Sequence, residues 1–398
     1  MAHRISPMAS SIQEPATLFM ARRSRELRAQ GQDVIDLSLG EPDHAPPSFV
    51  IEAAHKALDG PWHKYPPVNG YADVREAICR KFERDNGLRY TPEQVVVSTG
   101  AKQSIMNAIL ALVGPGDEVV IPSPNWVTYY EQVRMAGGTP VPVLSTLEEN
   151  YRTPVSRIAA AITPRTRLLI FSSPCNPSGS VFTAAELSEL AALIAAHPDL
   201  YVVSDEIYEH IVFSGRHIAF ASLPGMMERT ITVNGLSKGF ALTGWRIGYL
   251  AAPEWIAKAC SRVQGQFTSG TNSIAQRVTI ACMEADPALL APMRADFLRR
   301  RDLVIAGLAK VPGWRCNLPD GAFYVLPNVT ASLGKRSGER HLTTTNDLCM
   351  YLLEEAGVSL VDGDAFHASG TLRLSYATSD EKLTKALERI ALAIACLY

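Results

Sequence analysis

Short apolar runs alternate with helical stripes along the middle of this chain. Val95–Val97, Leu168–Phe171 and Tyr201–Val203 are continuous apolar stretches of strand length, the pattern of strands covered on both faces. Other segments repeat their apolar residues every three or four positions: Ile105, Ile109 and Leu112; Leu187, Leu190, Leu193 and Ile194; and, near the C-terminus, Leu383, Leu387, Ile390 and Ile394. Thr183-Ala184-Ala185-Glu186 reads as a capping box opening the second of these helices, and Thr378-Ser379-Asp380-Glu381 as one opening the third. The alternation from about Val95 to Leu250 predicts an α/β fold with a mostly parallel sheet and helices on both faces. The polar stretch Ala331–Leu342 predicts a mobile loop, and there is no internal repeat or low-complexity segment.

At 398 residues the chain exceeds what one hydrophobic core usually serves, so a large and a small domain are expected. The predicted division is 46–288 for the large domain and 1–45 with 289–398 for a smaller α+β domain, the junction falling near Asp286 to Pro292. A formal net charge of −2 leaves no nucleic-acid or membrane footprint. Seven scattered cysteines without a Cys-x-x-Cys pair fit reduced thiols in a cytoplasmic protein better than a disulfide framework. The segment Met1–Ser11 is polar and broken by Pro7, unlike a signal peptide, and no apolar stretch approaches the roughly 20 residues that span a bilayer.

The candidate chemistry sits at the ends of the apolar runs. Lys238, in Thr232-Val233-Asn234-Gly235-Leu236-Ser237-Lys238-Gly239, closes an apolar strand, where its amine can be held out of bulk water and condense with an aldehyde cofactor. Arg246, eight residues on, offers a planar two-pronged donor for a phosphate. Taken alone, Ser237-Lys238-Gly239 would be a solvated loop, because lysine is mostly exposed. Asp205 ends the run Tyr201-Val202-Val203-Ser204, at a position suited to holding a proton on a pyridine nitrogen, with Tyr208 three residues on; an acid there is also a common helix cap. Ser172-Ser173-Pro174-Cys175-Asn176-Pro177-Ser178-Gly179 is a stiff turn that would present the Asn176 amide at the sheet edge, although Asn-Pro by itself is an ordinary turn. Ser98-Thr99-Gly100-Ala101-Lys102 opens a helix whose free N–H groups can cradle a phosphate, as many strand-to-helix turns could.

In this order and spacing the segments resemble the class I, fold-type I aminotransferases, most closely the prokaryotic type of aspartate aminotransferase. The resemblance runs from Leu37-Ser38-Leu39-Gly40-Glu41-Pro42-Asp43 through Lys64-Tyr65 and Pro124-Asn125-Trp126 to Thr371-Leu372-Arg373-Leu374-Ser375. It implies pyridoxal 5′-phosphate bound to Lys238, with Asp205 on the ring nitrogen, Asn176 and Tyr208 on the ring oxygen, and Trp126 stacked on the ring. The phosphate would be held by Gly100, Ala101, Ser237 and Arg246, with Tyr65 reaching in from a second subunit of a homodimer with shared sites. Arg373, with the N–H of Gly40, would clamp the substrate α-carboxylate, and Lys102 would meet a distal carboxylate. Aspartate or glutamate would then exchange an amino group with 2-oxoglutarate or oxaloacetate in a ping-pong cycle through pyridoxamine phosphate. Gln13 stands where members active on prephenate carry a lysine, which disfavours that substrate; aromatic and kynurenine donors stay open.

The rival classes lack their signatures. No Gly-x-Gly-x-x-Gly, no Gly-x-x-x-x-Gly-Lys-Ser/Thr and no His-Glu-x-x-His string occurs, which disfavours nicotinamide, P-loop and zinc chemistry. A pyridoxal phosphate lyase would share Lys238 and Asp205 but gain nothing from a second carboxylate-binding cation at Lys102.

Overall fold

The computed structural model describes residues 5–398, so the first four positions of the N-terminal stretch lie outside the described residues. Seven strands form the main sheet: β1 Val95–Ser98, β2 Glu118–Ser123, β3 Thr139–Leu144, β4 Thr166–Ser172, β5 Tyr201–Asp205, β6 Thr230–Gly235 and β7 Gly248–Ala251. Their order is β1-β7-β6-β5-β4-β2-β3. Only β7 runs antiparallel to its neighbours β1 and β6; the remaining pairs are parallel. The sheet is the mostly parallel one expected. β1, β2 and β6 are buried along their whole length, which fits the unbroken apolar run of β1, while β3 carries Pro140 and Pro142 and closes one edge against further pairing.

Both faces of the sheet are covered. The helix Ala101–Leu112 lays Ile105 and Ile109 against Val96 and Ile231, and the helix Ala184–Ala195 lays Leu187, Leu190 and Ile194 against Leu169 and Val202 on the other side. Thr183 caps the latter helix with the reciprocal Glu186 bond the sequence announces. The C-terminal helix Asp380–Ala395 starts one residue later than read: Ser379, not Thr378, is its cap, and its side chain accepts from the N–H of Lys382. Lysine at the third helical position has no acceptor to return, so no box forms there.

A second core gathers the helices Ala16–Ala29, Ala291–Leu308, Thr345–Glu355 and Asp380–Ala395 around a three-stranded antiparallel sheet of β8 Tyr324–Val325, β9 Val361–Asp362 and β10 Leu372–Ser375, in the order β9-β10-β8. Ile207, Tyr208 and Ile211, which follow β5 of the main sheet, are packed into this second core. The stretch Ala331–Leu342 departs from the mobile loop expected of it. Arg336–Ser337 and Arg340–His341 pair as a small hairpin, Arg336 exchanges backbone bonds with Tyr398, and Leu342 is buried in the second core; one apolar anchor and backbone pairing order a polar segment.

A buried ion pair braces the turn after β5. Lys81, 1% exposed at the end of the helix Ala72–Lys81, donates to Glu209, and Asn86 both accepts from Lys81 (2.9 Å) and donates to Glu209 (3.2 Å). Removing one partner of such a pair strands a charge in low dielectric. Lys81→Met is therefore expected to lower stability by about 3–5 kcal/mol, read as a drop in Tm, with Glu209→Gln added to the same chain recovering part of the loss.

Candidate active site

The carboxyl ends of the central parallel strands open into a cavity of about 340 Å³. Each strand delivers a side chain there because the chain must turn at that edge. Register sets Ser172 at the end of β4 beside Asp205 at the end of β5, and Ser237 and Lys238 follow the end of β6. β1 delivers Gly100 and the helix Ala101–Leu112, whose first residues Ala101 and Lys102 line the wall. The second core contributes Gly40, Tyr324 and Arg373, and the N-terminal helix contributes Thr17 and Leu18.

Lys238 Nζ donates to the carbonyl of Gly40. Burial pushes its ammonium down to about 8, helped by Arg373 and Arg246 and opposed by Glu41 and Asp205. Asp205 is pushed the other way. Burial lifts its carboxyl to about 6, against a 2.6 Å bond donated by Tyr129 Oη to Oδ2 and a 3.3 Å bond donated by the Ile207 N–H to Oδ1. A cation set against Asp205 would restore the ionised carboxyl that burial disfavours, while burial leaves the Lys238 amine more readily neutral and so able to attack an electrophile.

Arg373 lies on β10 with 1% of its surface exposed. Its Nη1 donates to Asn176 Oδ1 at 2.9 Å and its Nη2 to the carbonyl of Ser38, while Nε has no partner. Burial lowers its pKa from the usual guanidinium value. The rings of Tyr324 and Phe366 lie 4.7 and 5.0 Å from its guanidinium carbon. Since Asn176 accepts through its oxygen, its amide N–H groups are left to face the cavity. Lys102 sits 4.9 Å from the Trp126 ring centroid, and burial, then Arg246, lowers its pKa. Arg246 donates to the Thr243 carbonyl at 2.9 Å and holds a left-handed backbone, φ 56°, which for a side chain of this size is strain kept at a functional position. A Cβ on Gly100, φ +83°, would run into the Arg246 guanidinium; only glycine lets that group lie across the helix N-terminus.

Among the described residues, none of Lys102, Lys238, Arg246 and Arg373 forms a salt bridge, and Asp205 is the one carboxylate in the cavity wall. The cavity therefore calls for a ligand with several negative charges.

Known proteins agree with that reading. The family profile for Aminotransferase class I and II matches residues 32–390. The chain belongs to that family. It is 43% identical over 389 residues to the aspartate/prephenate aminotransferase of Cereibacter sphaeroides, covering 97% of each. It matches the crystal structure of the aspartate aminotransferase from Rhizobium meliloti with a TM-score of 0.96 at 40% identity, each chain covered in full. The aspartate aminotransferase from Thermus thermophilus solved with maleate gives 0.92 at 42% identity, with 98% of this chain and 100% of that one covered. The fold is that of the fold-type I pyridoxal phosphate transferases, and the cofactor of this aminotransferase is pyridoxal 5′-phosphate.

The residues present fit that group. Its phosphate matches the anion site formed by Arg246 and the helix end at Gly100, and its ring nitrogen matches a buried carboxyl that lacks a cation. Of the residues singled out in the sequence, Gly40, Ala101, Lys102, Trp126, Asn176, Asp205, Tyr208, Ser237, Lys238, Arg246 and Arg373 line this one cavity, and Gly100 stands directly behind it. Tyr65 does not; it is 96% exposed on the outside of the chain. Sequence reading missed Tyr129, which holds Asp205, and Tyr324, whose hydroxyl lies 2.9 Å from that of Tyr208. Tyr129 falls one helical turn after Trp126, a spacing that reads as core packing, and its bond to an acid 76 residues away has no local signature.

The depressed Lys238 ammonium gives a direct test. Labelling of the cofactor-free protein by an amine-acylating reagent should rise with pH through a midpoint near 8 at Lys238, against about 10.4 for exposed lysines, read residue by residue by mass spectrometry.

Proposed function

We propose that this aminotransferase exchanges the amino group of aspartate or glutamate with 2-oxoglutarate or oxaloacetate. The observation that carries the reading is Lys102, a solvent-accessible ammonium in the cavity wall with no acidic partner, in addition to the guanidinium of Arg373. A dicarboxylic substrate supplies one carboxylate to each. The names of the two aspartate aminotransferase relatives support it, and the maleate held by the Thermus thermophilus structure is a dicarboxylate. Prephenate, which appears in the name of the Cereibacter sphaeroides relative, is the second reading; Gln13 is exposed and does not line the cavity.

Each residue then has a physical task. Arg373 takes the α-carboxylate through its two-pronged face, with the Gly40 N–H as a further donor. Arg246, Ser237 and the backbone N–H groups of Gly100 and Ala101 hold the phosphate. Asp205 keeps a proton on the ring nitrogen, Tyr129 keeps Asp205 oriented, and Asn176 and Tyr208 donate to the ring oxygen. Trp126 covers the ring face. When bound, pyridoxal phosphate supplies an electron-withdrawing ring that makes the substrate α-carbon acidic. Lys238 Nζ, largely neutral above about pH 8, is the base that takes the proton from that carbon.

The working unit in this proposal is a homodimer with shared sites, Tyr65 of one copy completing the phosphate site of the other; its exposure and its absence from the wall of its own cavity support this. We also propose the division into 46–288 and 1–45 with 289–398, supported by the separate core around β8 to β10. A cytoplasmic setting is supported by seven unpaired cysteines. Among the described residues, no helix is long and apolar enough to cross a membrane, and no cluster of metal-ligating side chains occurs.

Lys238→Ala should abolish turnover while leaving phosphate-anchored cofactor detectable in the purified protein; undiminished activity would refute the assigned role. Lys102→Ala should lower kcat/KM for aspartate by about 1.5–3 kcal/mol of transition-state binding and leave a monocarboxylic donor such as alanine nearly unchanged. Equal losses for both donors would remove the dicarboxylate reading.

A further inference from the structure

Tyr65 sits at the tip of a loop that is held at both ends. On one side Ser273 Oγ donates to the Lys64 carbonyl at 3.0 Å; on the other Gln264 Nε2 donates to the Val68 carbonyl at 2.6 Å. The base of the loop is closed by Arg277 of the helix Ser273–Glu284. Its guanidinium carbon lies 4.2 Å from the Trp62 ring centroid and 4.7 Å from that of Tyr71, the residues where the loop leaves and rejoins the fold. The same guanidinium makes two bonds to Asp73, of 2.7 and 2.6 Å, and its side chain is 9% exposed. Between these anchors Tyr65 itself is 96% exposed, and its hydroxyl has no partner among the described residues.

Much structure is thus spent on one exposed side chain. A loop tip that stabilised only its own domain would turn its aromatic ring inward, since burying a ring is favourable and exposing it is not. A tip that must meet another surface gains from being ordered beforehand, because the ordering entropy is then not lost on contact. Pro66 and Pro67, next to the tip, serve the same end by limiting the backbone. The planar cation between two rings fixes the span from Trp62 to Tyr71, and Asp73 fixes the cation.

We propose that Arg277 is a positioning residue acting in trans: by clamping Trp62 against Tyr71 it holds Tyr65 in place for the cofactor phosphate site of a second copy of the chain. The inference rests on the second-copy reading of Tyr65 given above. Arg277 touches neither substrate nor cofactor; its effect should appear as cofactor affinity in the opposite subunit.

The test uses hybrid dimers of the full-length chain, purified through two different tags. One chain carries Arg277→Met and the other Lys238→Ala, so the single lysine-bearing site receives its Tyr65 from the chain whose clamp is intact. Pyridoxal phosphate is titrated in and fixed to Lys238 with borohydride, and the labelled fraction of that chain is read by mass. The Arg277→Met homodimer should half-saturate at about tenfold higher cofactor than wild type, as should Tyr65→Phe, and the hybrid should return to the wild-type value. Trp62→Leu in place of Arg277→Met should repeat the pattern, which guards against a helix defect peculiar to the arginine change. A hybrid that keeps the weakened affinity would place the effect in the same subunit and overturn the proposal. So would an Arg277→Met homodimer with unaltered affinity beside a weakened Tyr65→Phe. If Tyr65→Phe itself binds cofactor as wild type does, or the chain runs as a monomer, the second-copy reading falls and the clamp with it.

Discussion

The site depends on a buried cation that has no anionic partner. Arg373 is a guanidinium with 1% of its surface exposed, bonded only to an amide oxygen and a backbone carbonyl. An isolated buried cation is costly by several kcal/mol even after relaxation, and neutral acceptors recover only part of that. With Lys102, Lys238 and Arg246 sharing the same cavity, the fold carries a standing demand for anions that Asp205 alone cannot meet. In the proposed function a phosphate and substrate carboxylates would meet it, so binding would relieve a cost that folding has already built in. The Lys238 ammonium is depressed first by burial and then by Arg373 and Arg246, against Glu41 and Asp205, so in the proposed function one arrangement would both attract the anions and prepare the base.

That demand is sustainable because the surrounding scaffold is rigid and well satisfied. Glu206, one residue beyond Asp205, accepts from Ser204 Oγ (2.9 Å) and the Phe220 N–H (3.0 Å) and lies 2.8 Å from His217 Nε2. Glu209, one residue beyond Tyr208, is bonded to Lys81 and Asn86. The turn from Asp205 to Tyr208 is therefore bracketed by two fully engaged acids, which lets the ring-facing groups stay under-satisfied without the turn relaxing toward them.

How much of this could be read from the chain depended on how local each signal was. Asp205 ends a strand, Gly100 opens a helix, and Lys238 and Asn176 lie in the turns just past strand ends, which are visible as breaks in apolar runs. Arg373 was legible for the opposite reason, as a charge out of place in the apolar β10. Tyr129 and Tyr324 were not legible, because an aromatic in an apolar pattern is ordinary and only the third dimension supplies its polar partner. The helix start at Ser379 rather than Thr378 shows the limit of motif reading: both residues can cap, and Ser379 caps even though Lys382, three positions on, cannot accept in return as Glu381 could for Thr378.

The two cores must also be coupled for the site to exist. Asp205 and Lys238 belong to the main sheet, whereas Arg373, Gly40 and Tyr324 belong to the second core, so a substrate held at both ends spans the junction. The coupling is visible in three places: the Arg373–Asn176 bond, the contact between the hydroxyls of Tyr208 and Tyr324, and the packing of Ile207 and Tyr208 into the second core. All three run through the segments that follow β4 and β5, and Gly40 has no room for a Cβ beneath the Tyr324 hydroxyl. A displacement of one core relative to the other would thus move Arg373, Asn176 and Tyr208 together, and with them the proposed α-carboxylate and ring-oxygen contacts. In the proposed function those shared contacts would link substrate binding at Arg373 to the groups at the ring, favouring molecules that bear an α-carboxylate.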